Sequence, residues 1–209
     1  MKIMKCVLSV LCSAALFCSC GGSTAKVEGL TGKVTLVGYE GRHVYLETTD
    51  GSSMKVDSAV VGGGKFAFTF NDSVPQVYRL VLTAADDDPF AISLPVVSEK
   101  GHVKVSMGEL VLTSGTPLND ELQDFLLAVS NFTDKAVDGF KEQIMKDREP
   151  GLQQVKEDFA KLVEGAVMKN VGNPVGVYIY RAYKHNLTEP QKAQILLRGG
   201  ESFRKAVNQ

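Results

Sequence analysis

The stretch HVKVSMGELVLTSGTPLNDELQDFLLAVS, from His102 to Ser130, changes its period midway, and that change decides the fold. Up to Thr113 the apolar residues alternate, Val103 with Val105 and Leu110 with Leu112, as half-buried strands require. After Ser114-Gly115-Thr116-Pro117 they recur three and four apart at Leu118, Leu122, Phe125, Leu126 and Val129, the spacing of one helix face. Thr116 suits an N-cap, Pro117 the first helical position, and Asp120 with Glu121 the positive end of the helix dipole.

Upstream of this boundary the period of two persists and turn residues recur between apolar runs. The pattern predicts strands at Lys33–Val37, His43–Thr48, Met54–Val60, Lys65–Phe70, Val77–Thr83, Phe90–Val97, His102–Ser106 and Glu109–Thr113. Phe66, Phe68 and Phe70 share one face, as do Val44 and Leu46. Asp50-Gly51 signals a tight hairpin, because such turns want positive φ at both central residues. One apolar face per strand and short connections predict an antiparallel β-sandwich or open barrel over residues 33–113. Downstream, the helical period runs on through Phe132, Ala136, Phe140 and Ile144 to a break at Pro150-Gly151. Leu152, Val155, Phe159, Leu162, Val163 and Val167 describe a second helix, paired with the first as a hairpin and ended by Asn173-Pro174. A short helix over Val175–Tyr183 and a capping-box start at Thr188-Glu189-Pro190-Gln191 follow, and Gly199-Gly200 precedes a tail expected to be weakly ordered. The fold class is α+β: a sandwich followed by a small helical domain over residues 114–209.

Lys and Arg number 23 against 24 Asp and Glu, a formal charge of −1, so the chain lacks the basic excess that nucleic-acid binding needs to displace counterions. All four cysteines (Cys6, Cys12, Cys18, Cys20) stand in the first twenty residues. Beyond Cys20 a disulfide framework, a CxxC redox pair and a thiolate metal site are therefore excluded.

Residues 1–19 have the layout of an export signal, with Lys2 and Lys5 ahead of an apolar run from Cys6 to Phe17. That run is shorter than the roughly 18–20 residues a bilayer-spanning helix needs. Phe17-Cys18-Ser19-Cys20 resembles a bacterial lipobox, which implies cleavage before Cys20 and a diacylglycerol on its thiol. Several acyl chains, at about 0.8 kcal/mol per buried CH₂, would make that anchor permanent. Residues 20–32 are then the lipidated cysteine and its tether.

Other motifs resolve into plainer readings. Gly62-Gly63-Gly64-Lys65 lacks the spacing of a phosphate loop and leads into a strand, so it reads as a hairpin turn. Asp86-Asp87-Asp88 before Pro89 lacks the alternate ligand spacing of a calcium loop and reads as a solvated turn. His43, His102 and His185 stand far apart, the first two on polar strand faces, and are expected to be exposed. No G-x-S-x-G elbow appears, and no metal or cofactor is expected. The segment Tyr178-Ile179-Tyr180-Arg181-Ala182-Tyr183-Lys184-His185 is the densest aromatic and basic cluster, which makes Tyr178, Tyr180, Arg181 and Tyr183 a candidate docking patch. Asp57-Ser58-Ala59 and Asp72-Ser73-Val74 are similar to the periplasmic O-glycosylation motif of Bacteroidota, on Ser58 and Ser73, whereas the Asn131-Phe132-Thr133 sequon falls mid-helix and is discounted.

Five features recur in order: the lipobox, Val44-Tyr45-Leu46, the Gly-rich turn into Lys65-Phe66-Ala67-Phe68, Ser114-Gly115-Thr116-Pro117-Leu118-Asn119-Asp120, and Asn173-Pro174-Val175-Gly176. Together they resemble the β-rich domain of unknown function at the N-terminus of Bacteroidota TlpA/ResA-like thiol–disulfide oxidoreductases. In that family a thioredoxin-fold domain with CxxC follows the helices. No such motif stands between Cys20 and Gln209, so no catalytic residue carries over. The resemblance implies a lipoprotein of the outer membrane, and the lack of acidic residues just after Cys20 implies that it faces the periplasm. The resulting expectation is a non-enzymatic binding or accessory module, held at the membrane by its lipid, with a separate thioredoxin-like protein as partner. The alternatives are a structural or self-associating lipoprotein pairing through Leu118–Ile144, and an enzyme with a dispersed site.

Overall fold

The computed structural model describes residues 29–84, 91–146 and 151–208. The signal and Cys20, the Asp86-Asp87-Asp88-Pro89 turn and Pro150 lie outside the described residues. Strands β1 (Gly29–Val34), β4 (Lys65–Phe68), β7 (His102–Met107) and β8 (Val111–Ser114) form one sheet in the order β4-β1-β7-β8. Strands β2 (His43–Thr48), β3 (Lys55–Val60), β5 (Val77–Leu82) and β6 (Ile92–Val97) form the other, in the order β3-β2-β5-β6. The pairs are antiparallel except β1 with β7, which run parallel, with Gly29 opposite His102 and Val34 opposite Met107. A parallel pair needs a long crossover, and here the crossover is the whole β2–β6 segment. Leu30, Phe66, Phe68, Val103 and Val105 of one sheet share a core with Val44, Leu46, Leu80, Leu82 and Val96 of the other, which makes the two sheets a sandwich.

Two strands depart from the pattern. β1 begins at Gly29, not Lys33, and Val37 is 95% exposed. Glycines hid the strand: Gly32 lies opposite Phe66, and a Cβ there would stand 1.9 Å from the phenyl ring, so the ring takes the place of a side chain. At the other end Leu110 is 67% exposed, because Gly108 to Leu110 form the β7–β8 turn. The side chain that β8 buries is Thr113, opposite Val105.

The helices are α1 (Pro117–Met145), α2 (Leu152–Lys169), α3 (Pro174–Tyr183) and α4 (Glu189–Val207), with a 3₁₀ turn at Lys184–Asn186. α1 starts across the open side of the sandwich, where β6 and β8 are both edge strands. Asn119, fully buried, accepts a hydrogen bond from Val97 N at 2.9 Å through Oδ1 and donates from Nδ2 to Val97 O at 2.8 Å. Gln123 Oε1 accepts from Thr113 N at 2.7 Å. Two side chains of one helix thus occupy backbone groups of Val97 and Thr113, one residue on each edge, and block pairing by another strand at those positions. Thr116 holds the N-cap position but does not cap. Its hydroxyl accepts from Asn119 Nδ2, and the first turn is capped instead by Glu99, whose Oε1 accepts from Leu118 N at 2.7 Å and Asn119 N at 3.0 Å.

A second core joins Leu122, Phe125, Val163, Val167, Val175, Ile179, Tyr180, Leu187, Ile195, Phe203 and Val207 to Val77 and Val97 of the sandwich. The capping box at Thr188 and Gln191 is formed as the sequence predicts. The tail expected to be loose is part of this core. α4 kinks at Gly200, whose φ is 69°, and then resumes, burying Phe203 at 2% exposure. A Cβ at Gly199 would stand 2.6 Å from Phe203, so the glycine pair reads as a break but serves to bring the phenyl ring home. The far half of α1 outruns this core, leaving Ile144 65% exposed.

Candidate functional site

Sandwich and helices meet along a cleft, and each wall follows from local sequence. The sandwich wall includes the β2–β3 connection. Asp50-Gly51 does not make the expected two-residue turn. Thr48 N donates to Met54 O at 2.9 Å, which closes a wider loop over residues 49–53. Asp50 organises it: Oδ1 accepts from Ser52 Oγ at 2.6 Å, Ser52 N at 2.9 Å and Thr48 Oγ1 at 2.9 Å. Positive φ falls on Gly51 (93°) and on Ser53 (51°). The Ser52 hydroxyl, the Ser52 N–H and the Thr48 hydroxyl, in that order, hold the carboxyl at about 2. A depressed carboxylate is fully ionised, with its loop contacts, above the ordinary value of 3.8, and loses them as pH falls through about 2. A carboxylate titration by carbon NMR should place the Asp50 midpoint near 2, and Ser52→Ala should return it toward 3.8.

The helical wall starts from the Asn170–Asn173 corner. Asn170 Nδ2 donates to Glu121 Oε1 at 3.1 Å, and Asn170 Oδ1 accepts from Asn173 Nδ2 at 2.8 Å. Asn173 Oδ1 caps α3, accepting from Val175 N at 2.9 Å and Gly176 N at 3.3 Å. Lys169 Nζ donates to Glu121, and this bond is the largest influence lowering the Glu121 carboxyl below its ordinary range. Gly176 has a steric reason: a Cβ would stand 2.1 Å from the Asn170 carbonyl oxygen, which is main chain and cannot yield. Gly176→Ala should therefore cost about 2–3 kcal/mol, and thermal unfolding should show a midpoint lower by about 5–10 °C.

Between these walls lie two adjoining hollows that share Tyr178. The larger, about 480 Å³, is lined among others by Thr49, Asp50, Gln76, Val177, Tyr178 and Arg181. The smaller, about 300 Å³, includes Thr48, Ser53, Arg79, Pro95 and Tyr178. Arg79 is oriented by Glu47 Oε2, 2.7 Å from Nη2, and by Ser53 Oγ at 2.9 Å. Burial pushes the Tyr178 phenol up to about 12, so it stays a neutral donor at physiological pH. Arg181 donates to the Ala206 carbonyl, tying α3 to the end of α4. The two hollows thus present an aromatic ring, two guanidinium groups and several hydroxyls.

The structure divides the four-residue patch. Tyr178 and Arg181 line the cleft. Tyr180 is a core residue, 6% exposed, its ring 5.7 Å from Phe203, and so leaves the patch. Tyr183 packs on Phe125 and Phe159. The helix period separates them, since residues 178 and 180 lie on different faces. Arg79, Thr49 and Asp50 belong to the same cleft and carried no sequence signal for it.

Ser58 and Ser73 are both exposed. His43 is exposed and stacks on Tyr45, with ring centroids 5.7 Å apart. His102 is half-buried, against expectation, because its Nε2 bonds Thr31 Oγ1 of the neighbouring β1 at 2.9 Å. His185 is exposed on the 3₁₀ turn. The Gly62–Lys65 segment is a tight turn leading into a strand, as read from sequence, but it carries the chain from β3 to β4 of the other sheet and so makes no hairpin of paired strands; its N–H groups at Gly63 and Gly64 donate to the Glu40 carboxylate at 2.8 and 3.1 Å. Among the described residues no group of three His, Cys, Asp or Glu side chains is placed to hold a metal ion, and no helix is long and apolar enough to cross a membrane.

Residues 29–122 match the family model of a domain of unknown function (DUF4369). The match covers the whole sandwich and ends at Leu122, after Asn119 and before Gln123, so the start of α1 is part of the matched unit. No curated protein and no solved structure matches the chain.

Proposed function

We propose that this chain is a lipid-anchored module of the bacterial cell envelope, held at the outer membrane facing the periplasm, that binds a partner protein and is not itself an enzyme. The cleft around Tyr178 carries this reading, because it sets an aromatic ring between Arg79 and Arg181 at the joint of sandwich and helices. The lipobox at Phe17-Cys18-Ser19-Cys20 supports the anchor. The five ordered motifs, by their resemblance to the TlpA/ResA-like family, support a thioredoxin-like protein as the partner. In that arrangement the partner's loop enters the cleft and stacks on Tyr178, and Arg79 pairs with its acidic or carbonyl groups. Tyr178→Ala is expected to weaken co-purification of the partner about tenfold or more, the scale of a buried aromatic anchor. Val74→Arg, at an exposed position on the cleft rim, should do the same without touching either core. Undiminished co-purification with both variants would remove the cleft as the docking surface. Ser58 and Ser73 are, in the same reading, O-glycosylation positions.

The exposed far end of α1, with Val137 43%, Ile144 65% and Met145 80% exposed, favours self-association as the second reading. Light scattering that returns the monomer mass would rule it out.

A further inference from the structure

Alternation along β4, β1 and β7 sends Leu30, Phe66, Val103 and Val105 inward and Thr31, Lys33, Lys65, Ala67 and Lys104 outward. Lys33 lies directly opposite Lys65, and Thr31 sits between Ala67 and Lys104. All three lysines are exposed, around a shallow concavity of about 670 Å³. The ion pairs seen among the described residues use Arg79, Lys141, Lys146, Lys161, Lys169 and Lys192, and none of these three. Glu40, near the same end of β4, is engaged by the Gly63 and Gly64 N–H groups.

Like charges directly opposite across two strands destabilise a sheet, so the pairing of Lys33 with Lys65 works against the fold. Among the described residues α1 and α3 lie against β5, β6 and β8, and Lys33, Lys65, Ala67 and Lys104 on this face are exposed. Strand β1 starts at Gly29, and the residues between it and Cys20 span at most about 28 Å even when fully extended. We infer that the outer face of β4, β1 and β7 rests on the anionic phospholipid surface of the membrane that anchors the chain, with Lys33, Lys65 and Lys104 on the headgroup phosphates. The inference rests on the lipid-anchor reading above. Each lysine close to an anionic surface contributes about a fivefold preference, so three give about a hundredfold bias toward this orientation.

The test is amine acylation of the full lipidated chain in vesicles of phosphatidylcholine alone or enriched in phosphatidylglycerol. In the anionic vesicles Lys33, Lys65 and Lys104 should react at least about threefold more slowly than in neutral ones, while exposed Lys135 and Lys156 on the helices keep their rates. High salt should restore reactivity without releasing the protein, since screening acts on the lysines and not on the acyl chains. Lys65→Glu, which removes the opposed like charges and leaves both cores intact, should abolish protection of Lys33 and Lys104. Equal rates in both vesicles, with the protein still bound, would overturn the inference and leave the anchor standing. Release from neutral vesicles would overturn the anchor itself. Equal protection by inorganic phosphate in neutral vesicles would assign the face to a soluble phosphate and overturn the membrane contact.

Discussion

Asn119→Ala should destabilise the protein by about 2–3 kcal/mol and lower its thermal midpoint by roughly 5–10 °C. The change removes a fully buried amide that bonds both Val97 N and Val97 O and reaches the Thr116 hydroxyl. Val97 N–H sits on the open edge of β6, beneath α1, so it loses its partner without gaining water, whereas Val97 C=O keeps the bond from Glu99 N at 3.0 Å. The stranded donor costs about 1–3 kcal/mol, and the cavity adds a smaller amount. Asn119→Asp separates the two contributions. Its volume is conserved, but it cannot donate to Val97 O and it brings a second carboxylate beside Glu99 Oε1, so it should be no better than alanine. Thr116→Val, which removes only the Thr116 acceptor, should cost about 1 kcal/mol. Chemical denaturation of the three variants checks this ranking, and an Asn119→Ala protein within about 1 kcal/mol of the parent would mean that the edge of β6 is not held by α1.

Phe203→Ala should cost a further independent 3–5 kcal/mol, the range for a buried phenyl ring. Phe203 is 2% exposed, meets Tyr180 edge-on at 5.7 Å and closes the helical core from the segment after the Gly200 kink. A tail that merely trails from Gly199-Gly200 would tolerate the change without loss of stability. Hydrogen exchange gives a second view: amides of residues 203–207 should be protected in the parent and exchange freely in Phe203→Ala.

The division into sandwich and helices was legible because the period changes from two to 3.6 at Ser114, and because Pro117, Asn173-Pro174 and the Thr188 box mark helix starts by local chemistry. What escaped was non-local. β1 contains two glycines, and the face of Gly32 is filled by Phe66 from another strand, so no apolar period announces it. Its parallel pairing with β7 depends on a partner about seventy residues away. Thr116 had the right side chain for a cap, but Glu99 from the β6–β7 loop took that role. The Gly199-Gly200 pair read as an ending because the core that receives Phe203 is assembled from α3 and α4 together. For the cleft, Tyr178 and Arg181 stood out by composition, whereas Arg79 and the Asp50 loop joined them only through the packing of α3 on β5.

The most direct test of the binding reading is a photo-crosslinking residue placed at Val74, on the rim of the larger hollow, in the lipidated protein in living cells. The account predicts an adduct with a CxxC-bearing thioredoxin-like protein that disappears when Tyr178 is changed to alanine. An adduct only with a second copy of the chain, or an adduct that survives Tyr178→Ala unchanged, would contradict it.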